Sequence, residues 1–234
     1  MKKVLIYLPN TYPTISSRFF KSFLDLTHYK ISDVETDFYM SKTFPLDRSR
    51  NQIVQIARSK PYFADYILFV DGDNLLPKNA LETLLSHASD EFPVVSGLYF
   101  RKSSPYRAVP GHYVGWEKRE MMRKTIESMG MVDKDGNQCA FYQSILDFST
   151  AQPIDVSGCG CLLVRMDVFD KIELPYFGYF NAESLGGDYS IDHLSEEMLF
   201  FCKLRQAGIK TLLVPSVRVG HEVLKVIGCS EEAI

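Results

Sequence analysis

The chain has 234 residues, 46% of them hydrophobic and 24% charged, which excludes a disordered chain or a coiled coil and allows a core without disulfide or metal staples. Lysine and arginine number 26 against 29 acids, a formal net charge of -3 that argues against a polyanion as main partner through bulk electrostatics. Cys139, Cys159, Cys161, Cys202 and Cys229 form an odd set without the spacing of a zinc ribbon, so reduced thiols and a cytoplasmic setting are expected. The opening MKKVLIYLP has only a short apolar run broken at Pro9, so neither a signal peptide nor a membrane span is expected.

Residues 3–8 are β-branched and apolar and stop at Pro9-Asn10, which predicts a buried strand opening into a loop. Ile15, Phe19, Phe20, Phe23, Leu24 and Leu26 follow at near-helical spacing, and 31–39 returns to an extended pattern. Asp47 is placed to cap a helix through Arg58, after which 66–70 supplies a short apolar strand. Pro77 marks the start of a helix carrying Ala80, Leu81, Leu84 and Leu85, and 94–100 reads as a strand. This alternation predicts an α/β fold, with a mostly parallel central sheet flanked by helices on both faces.

Between 111 and 149 the pattern loosens into a charged helical stretch at 116–129 and a polar turn at 133–137, so 111–150 reads as an insertion. Strands at 154–156 and 162–164, a short helix near Val168 and a Gly- and Asp-containing loop at 181–194 come next. Ser195 caps a helix through Ala207 ended by Gly208, and 209–214 and 217–219 follow as strands.

The sharpest chemical feature is Asp71-Gly72-Asp73 directly after an apolar strand, because open α/β sheets bind ligands at the carboxyl ends of their strands. Alternate carboxylates there can face one hard cation, Mg2+ or Mn2+, bridging a diphosphate; the competing reading is ordinary Asp-Gly turn chemistry. Glu196 and Glu197 open a helix, where acids oppose the helix dipole, yet a glutamate beside a cleft can also take a proton from a hydroxyl. His221 is an acceptable nitrogen ligand for manganese if the fold brings it to the aspartates. Arg48, Arg50 and Asn51 cluster at a helix start that invites an anion, and Arg101-Lys102 is a weaker case of the same argument. The small residues of Gly158-Cys-Gly-Cys161 permit either close ligand approach or tight packing.

Taken in order, these pieces resemble glycosyltransferases of the GT-A fold, particularly inverting ones related to family 2 and their phage and viral relatives. The resemblance rests on a first strand ending near Pro9, ILFVDGD ending at Asp73, a Gly-rich strand from Gly158 followed by Pro175-Tyr-Phe177, Glu196-Glu197, and Gly220-His221. The run SEEMLFFCKLRQAGIKTLLVPSVRVGH is its most specific part. Many relatives carry Glu-Asp at the acidic pair, where this chain has two glutamates.

The resemblance implies one GT-A domain over 1–234, with a nucleotide-sugar half in 1–110 and an acceptor half in 151–234. It implies transfer from a UDP- or GDP-sugar to an acceptor hydroxyl of a glycan, lipid-linked saccharide, protein or modified nucleic acid. Mn2+ or Mg2+ would be held by Asp71, Asp73 and His221. Glu197, ahead of Glu196, would be the base of an inverting displacement. Pro9, Arg48, Arg50, Asn51, Asp71, Gly72 and Asp73 would surround the nucleotide; separately, the composition of 181–194, with Gly186-Gly187 and polar residues, is that of a loop able to close as a lid.

Two alternatives stand beside this reading. LFVDGDNLL also looks like the nucleophile strand of a haloacid-dehalogenase phosphatase, with Gly187-Asp188 and Asp192 imitating its late acidic motif. A non-catalytic nucleotide- or glycan-binding module would use the glutamates only to cap their helix.

Overall fold

A computed structural model describes residues 1–9, 15–102, 106–113, 142–179 and 195–223. The helix expected over 116–129, the turn at 133–137, the loop at 181–194, Cys139 and Cys229 lie outside the described residues.

Strand β1 (Lys2–Pro9) buries both faces in alternation: Leu5 and Tyr7 enter one core cluster, Val4, Ile6 and Leu8 the other. Such all-round burial explains the continuous apolar run, since a strand with helices on both sides has no solvent face. Helix α1 (Ser17–His28) is capped by the Ser16 hydroxyl, which accepts from the Phe19 N–H at 2.9 Å, and buries Phe19, Phe23 and Leu26. Strand β2 (Val34–Ser41) pairs parallel with β1.

Helix α2 (Leu46–Ala57) corrects the expected cap. Its N-cap is Pro45, with no side-chain capping bond, and Asp47 lies inside the first turn with a buried Oδ1 that has no partner. Proline, with no N–H to leave unsatisfied, suits the helix entrance, and its φ of -75° is already near the helical value. The helix therefore starts earlier, and Arg50 sits well within it on the buried side with Ile53, Val54 and Ala57.

Strand β3 (Tyr66–Val70) runs into the Asp71 turn, β4 (Asn74–Leu75) follows, and α3 (Ala80–His87) begins after a turn rather than at Pro77. Strand β5 (Val94–Leu98) is shorter than expected, Phe100 making only an isolated bridge to Ala108. Strands β6 (Gly111–Tyr113) and β7 (Tyr142–Ser144) pair with each other, bringing together the two ends of 114–141. Next come β8 (Gln152–Ile154), β9 (Cys161–Arg165), a 3-10 turn (Met166–Asp170), α4 (Glu196–Gln206), β10 (Thr211–Arg218) and β11 (Gly220–His221). The two late strands expected separately form the single β10, with a shift in pairing to β5 between Val214 and Arg218 around Pro215. A proline cannot donate to the ladder, so the irregularity falls where the sequence already lacks an N–H.

The main sheet has the order β2-β1-β3-β9-β5-β10-β8. Five of its seven strands share a direction, while β9 and the edge strand β8 oppose them. Because β9 is antiparallel to β3 and β5, its first residue, Cys161, lies opposite Val70 at the carboxyl end of β3. The Gly158–Cys161 approach thus arrives at the same sheet end as Asp71.

Gly208 ends α4 in a left-handed conformation, φ 69°, with its N–H to the Arg205 carbonyl at 3.1 Å and the Ile209 N–H to Leu204 at 2.9 Å. Nothing stands within 4 Å of a Cβ built there, so the backbone conformation alone opposes a side chain. Gly208→Ala is expected to lower stability by about 1 kcal/mol, which for a chain of this size is a fall of roughly 2–4 °C in thermal midpoint, measurable by calorimetry.

Candidate active site

Three segments meet at the carboxyl end of the sheet. The Arg50 guanidinium comes from α2, Asp71 from the end of β3, and Glu196 and Glu197 from the first turn of α4. Arg50 Nη2 donates to Asp71 Oδ1 at 2.9 Å; Nη1 binds Glu197 Oε1 at 2.9 Å and also Glu196 Oε1. The Arg50 side chain is 1% exposed, so every contact of its two amino groups named here goes to protein and no open face is left for a nucleotide.

Three carboxylates around one guanidinium leave a local excess of negative charge, and one group must yield. Burial, reinforced by the charge of Glu197, raises the Glu196 carboxyl. Burial also works to raise Glu197, but the Arg50 charge and a backbone N–H at the helix start overcome it and hold Glu197 below its ordinary range. The two glutamates are thus shifted in opposite directions. Asp71 is raised by burial against the pull of Arg50, with 28% of its side chain still open.

Aromatic rings pack together in the core between the elements that carry Asp71 and Glu197. Phe177 stacks on Phe200 of α4 at 4.7 Å between ring centres and meets Phe69 of β3 at 5.5 Å. Asn51, one residue after Arg50, fastens the segment that carries Phe177. Its Nδ2 donates to the Asp47 and Phe177 carbonyls at 2.8 and 2.7 Å, and its Oδ1 accepts from the Tyr176 and Phe177 N–H groups at 2.7 and 3.2 Å. The amide is spent on backbone. Arg48 is exposed at the helix entrance, and Pro9 ends β1 beside Ser41 of β2. Behind them Tyr7, Ser49 and Ser41 form a buried hydroxyl chain, with Ser49 Oγ donating to Ser41 Oγ at 2.6 Å. Burial pushes the Tyr7 phenol up to about 12.

Asp73 belongs to a second cluster. Strands β11 and β4 pair antiparallel, His221 opposite Asn74, which brings His221 Nε2 to 3.5 Å from Asp73 Oδ1. His221 Nδ1 lies 2.7 Å from the Phe100 carbonyl, so that nitrogen carries a proton and Nε2 faces Asp73. The other Asp73 oxygen meets Lys102. Among the described residues no group of three or more His, Cys, Asp or Glu side chains is arranged to hold a metal ion, and Asp71 is turned toward Arg50.

Asn74 was not singled out in the sequence beyond its place after the acidic turn. It is 1% exposed and both ends of its amide lack partners. A Cβ on Gly160 would stand 1.8 Å from its Nδ2, so glycine is what admits the amide. The signal was its position directly after Asp73, but nothing in the sequence tells an inward from an outward asparagine. Cys159 and Cys161 are buried free thiols raised by burial, consistent with the packing reading of Gly158-Cys-Gly-Cys161.

A mostly parallel sheet flanked by helices, with an acidic turn after its third strand and an acidic helix start tied to it, is consistent with the GT-A fold. Residues 38–173 match the family model "Glycosyl transferase family 2", and the chain belongs to that family: it is a glycosyltransferase. The phosphatase alternative falls with this finding; Asp188 and Asp192 lie outside the described residues. Among solved structures, the chain is similar to "Crystal Structure of A197 from STIV", at 16% identity and a TM-score of 0.57 over 96% of this chain and 87% of that one. This likeness shows the fold alone. A looser likeness, to the inositol-1-phosphate CTP transferase from T. maritima, has 12% identity and a TM-score of 0.41 over 99% and 74% of the two chains. No curated protein matches the sequence. Among the described residues no helix is long and apolar enough to cross a membrane.

Removing the Asn51 amide leaves the Tyr176 and Phe177 backbone groups without their side-chain partner. Asn51→Ala is expected to cost about 2 kcal/mol in urea unfolding, and Asn51→Asp at least as much, because its second carboxylate oxygen would face the Asp47 and Phe177 carbonyls to which Nδ2 donates. Equal stability of all three proteins would contradict this account.

Proposed function

We propose that the chain moves a sugar from a UDP- or GDP-sugar to an acceptor hydroxyl by a single inverting displacement, with Glu197 as base. The observation that carries this reading is the Arg50 guanidinium, whose Nη1 meets Glu197 Oε1 at 2.9 Å while its Nη2 meets Asp71 of the turn after β3 at 2.9 Å; its charge holds Glu197 below the ordinary range. A base has to be ionised before it can accept a proton, and Glu197 meets that requirement at neutral pH.

In this step the acceptor oxygen bonds to the anomeric carbon as its proton passes to Glu197. The bond from that carbon to the diphosphate oxygen breaks, and the diphosphate leaves with the electron pair. Single displacement inverts the anomeric centre. Pro9, Arg48, Gly72 and Asp71 lie at the sheet end where the nucleotide would sit, with Arg50 and Asn51 acting from beneath.

Asp73 and His221 are the side chains here that suit Mn2+ or Mg2+. Ligand atoms 3.5 Å apart are near the roughly 3 Å that neighbouring ligands on one such ion adopt, and these ions take few protein ligands when phosphate oxygens and water complete the shell. Such an ion, when bound, would supply Lewis-acid stabilisation of the leaving diphosphate. Lys102 would have to yield its place at Asp73 or share it.

Glu197→Gln is expected to lower kcat of transfer by about 100-fold or more while the donor KM stays within about 3-fold, since a base acts on the step and not on donor binding. Asp73→Asn is expected to remove Mn2+-dependent binding of UDP and GDP, read by calorimetry. Full transfer by the glutamine variant would end the base assignment, and unchanged nucleotide affinity in the asparagine variant would end the metal assignment. A thermal-shift screen of UDP- and GDP-sugars identifies the donor by mass-action stabilisation.

A further inference from the structure

We propose that Arg50 is a positioning residue that locks the Glu197 carboxylate and Asp71 onto one planar guanidinium, so that the base and the donor-side turn hold a fixed mutual geometry. The proposal rests on the reading of Glu197 as base and goes beyond it, since the expected place for Arg50 was at the nucleotide.

Arg50 is 1% exposed, and its two amino groups point in different directions, Nη2 to Asp71 at 2.9 Å and Nη1 to Glu197 at 2.9 Å. Asp71 and Glu197 lie more than a hundred positions apart in the chain, on elements that do not pair in the sheet. The fork is therefore a direct mechanical link between them. A lysine ammonium in the same place is a point charge on a shorter reach and cannot serve both carboxylates with this geometry. Burial removes the competing water that would loosen an exposed pair.

The groups that act on Glu197 are Arg50 from α2, Asp71 after β3, Tyr99 after β5, Cys159 before β9, Tyr179, and Ser195 and Glu196 at the start of α4. Of these, Arg50 is the cation. With Glu197 held low, its base form is present above that low value and is lost as pH falls through it; without Arg50 the same loss moves to higher pH.

The test pairs two variants with two readouts. Arg50→Lys keeps a charge, and Arg50→Met combined with Glu196→Gln removes the cation together with the glutamate whose charge burial disfavours, so that the double variant strands fewer buried acids than Arg50→Met alone. In protein carrying 13C-carboxyl glutamate, with the Glu197 signal assigned from Glu197→Gln, the Glu197 midpoint is expected to rise by about one pH unit or more in the double variant. In Arg50→Lys, transfer from the UDP- or GDP-sugar that stabilises the wild type is expected to lose about 10- to 100-fold in kcat with little change in donor KM, and its acid limb is expected to move up. An Arg50 that only holds the fold together predicts lower stability with kcat, KM, pH profile and midpoint unmoved, and that outcome overturns the proposal. Absence of transfer by the wild type with every UDP- and GDP-sugar overturns the base reading and the proposal with it. Normal wild-type transfer with an unmoved midpoint overturns the proposal alone.

Discussion

The guanidinium of Arg50, buried among Asp71, Glu196 and Glu197, is the interaction on which the rest of the site depends. A buried ion pair adds little net stability, because stripping water from both charges offsets most of the attraction, but removing one partner leaves the others stranded. Here three acids depend on one cation, so α2, the end of β3 and the start of α4 are bound to a common geometry. The charge excess has a chemical result as well: burial and the neighbouring carboxylate raise Glu196, while the Arg50 charge holds Glu197 below its ordinary range. Phe69, Phe177 and Phe200 pack together in the core between the elements that carry Asp71 and Glu197, and Asn51 pins the backbone of Tyr176 and Phe177.

Two antiparallel features bring the remaining residues into range. Strand β9, inserted against the direction of its neighbours, delivers the Gly158–Cys161 segment to the carboxyl end of β3, where Gly160 admits the Asn74 amide. The short β4–β11 pair brings His221 to Asp73. In a strictly parallel sheet the start of β9 would lie at the far end, and the acidic turn would face open solvent. Because it does not, the Gly158–Cys161 segment stands at the same sheet end as the acidic turn.

The family match covers 38–173, whereas Glu196, Glu197 and His221 lie beyond it. Membership therefore rests on the half that carries Arg50, Asn51 and the acidic turn. The roles proposed for the late residues rest on contact geometry, and Arg50, Asn51 and Asp73 are among the residues that connect the two parts.

The amino-acid sequence by itself determined the α/β class, β3 to its end residues, the helix after Ser195 with its Gly208 stop, and the acidic turn, because each follows from local periodicity, capping or backbone restriction within a few residues. It misplaced the start of α2: Asp47 carries a capping side chain, but Pro45 fits the entrance without leaving an unsatisfied N–H. Only the tertiary structure decided that Arg50 faces inward, that Asn51 serves backbone, that Asn74 is buried and that the two glutamates are shifted in opposite directions. Each of these depends on which distant carboxylate, carbonyl or glycine lies opposite, and such long-range pairings leave no trace in the spacing of neighbours along the chain.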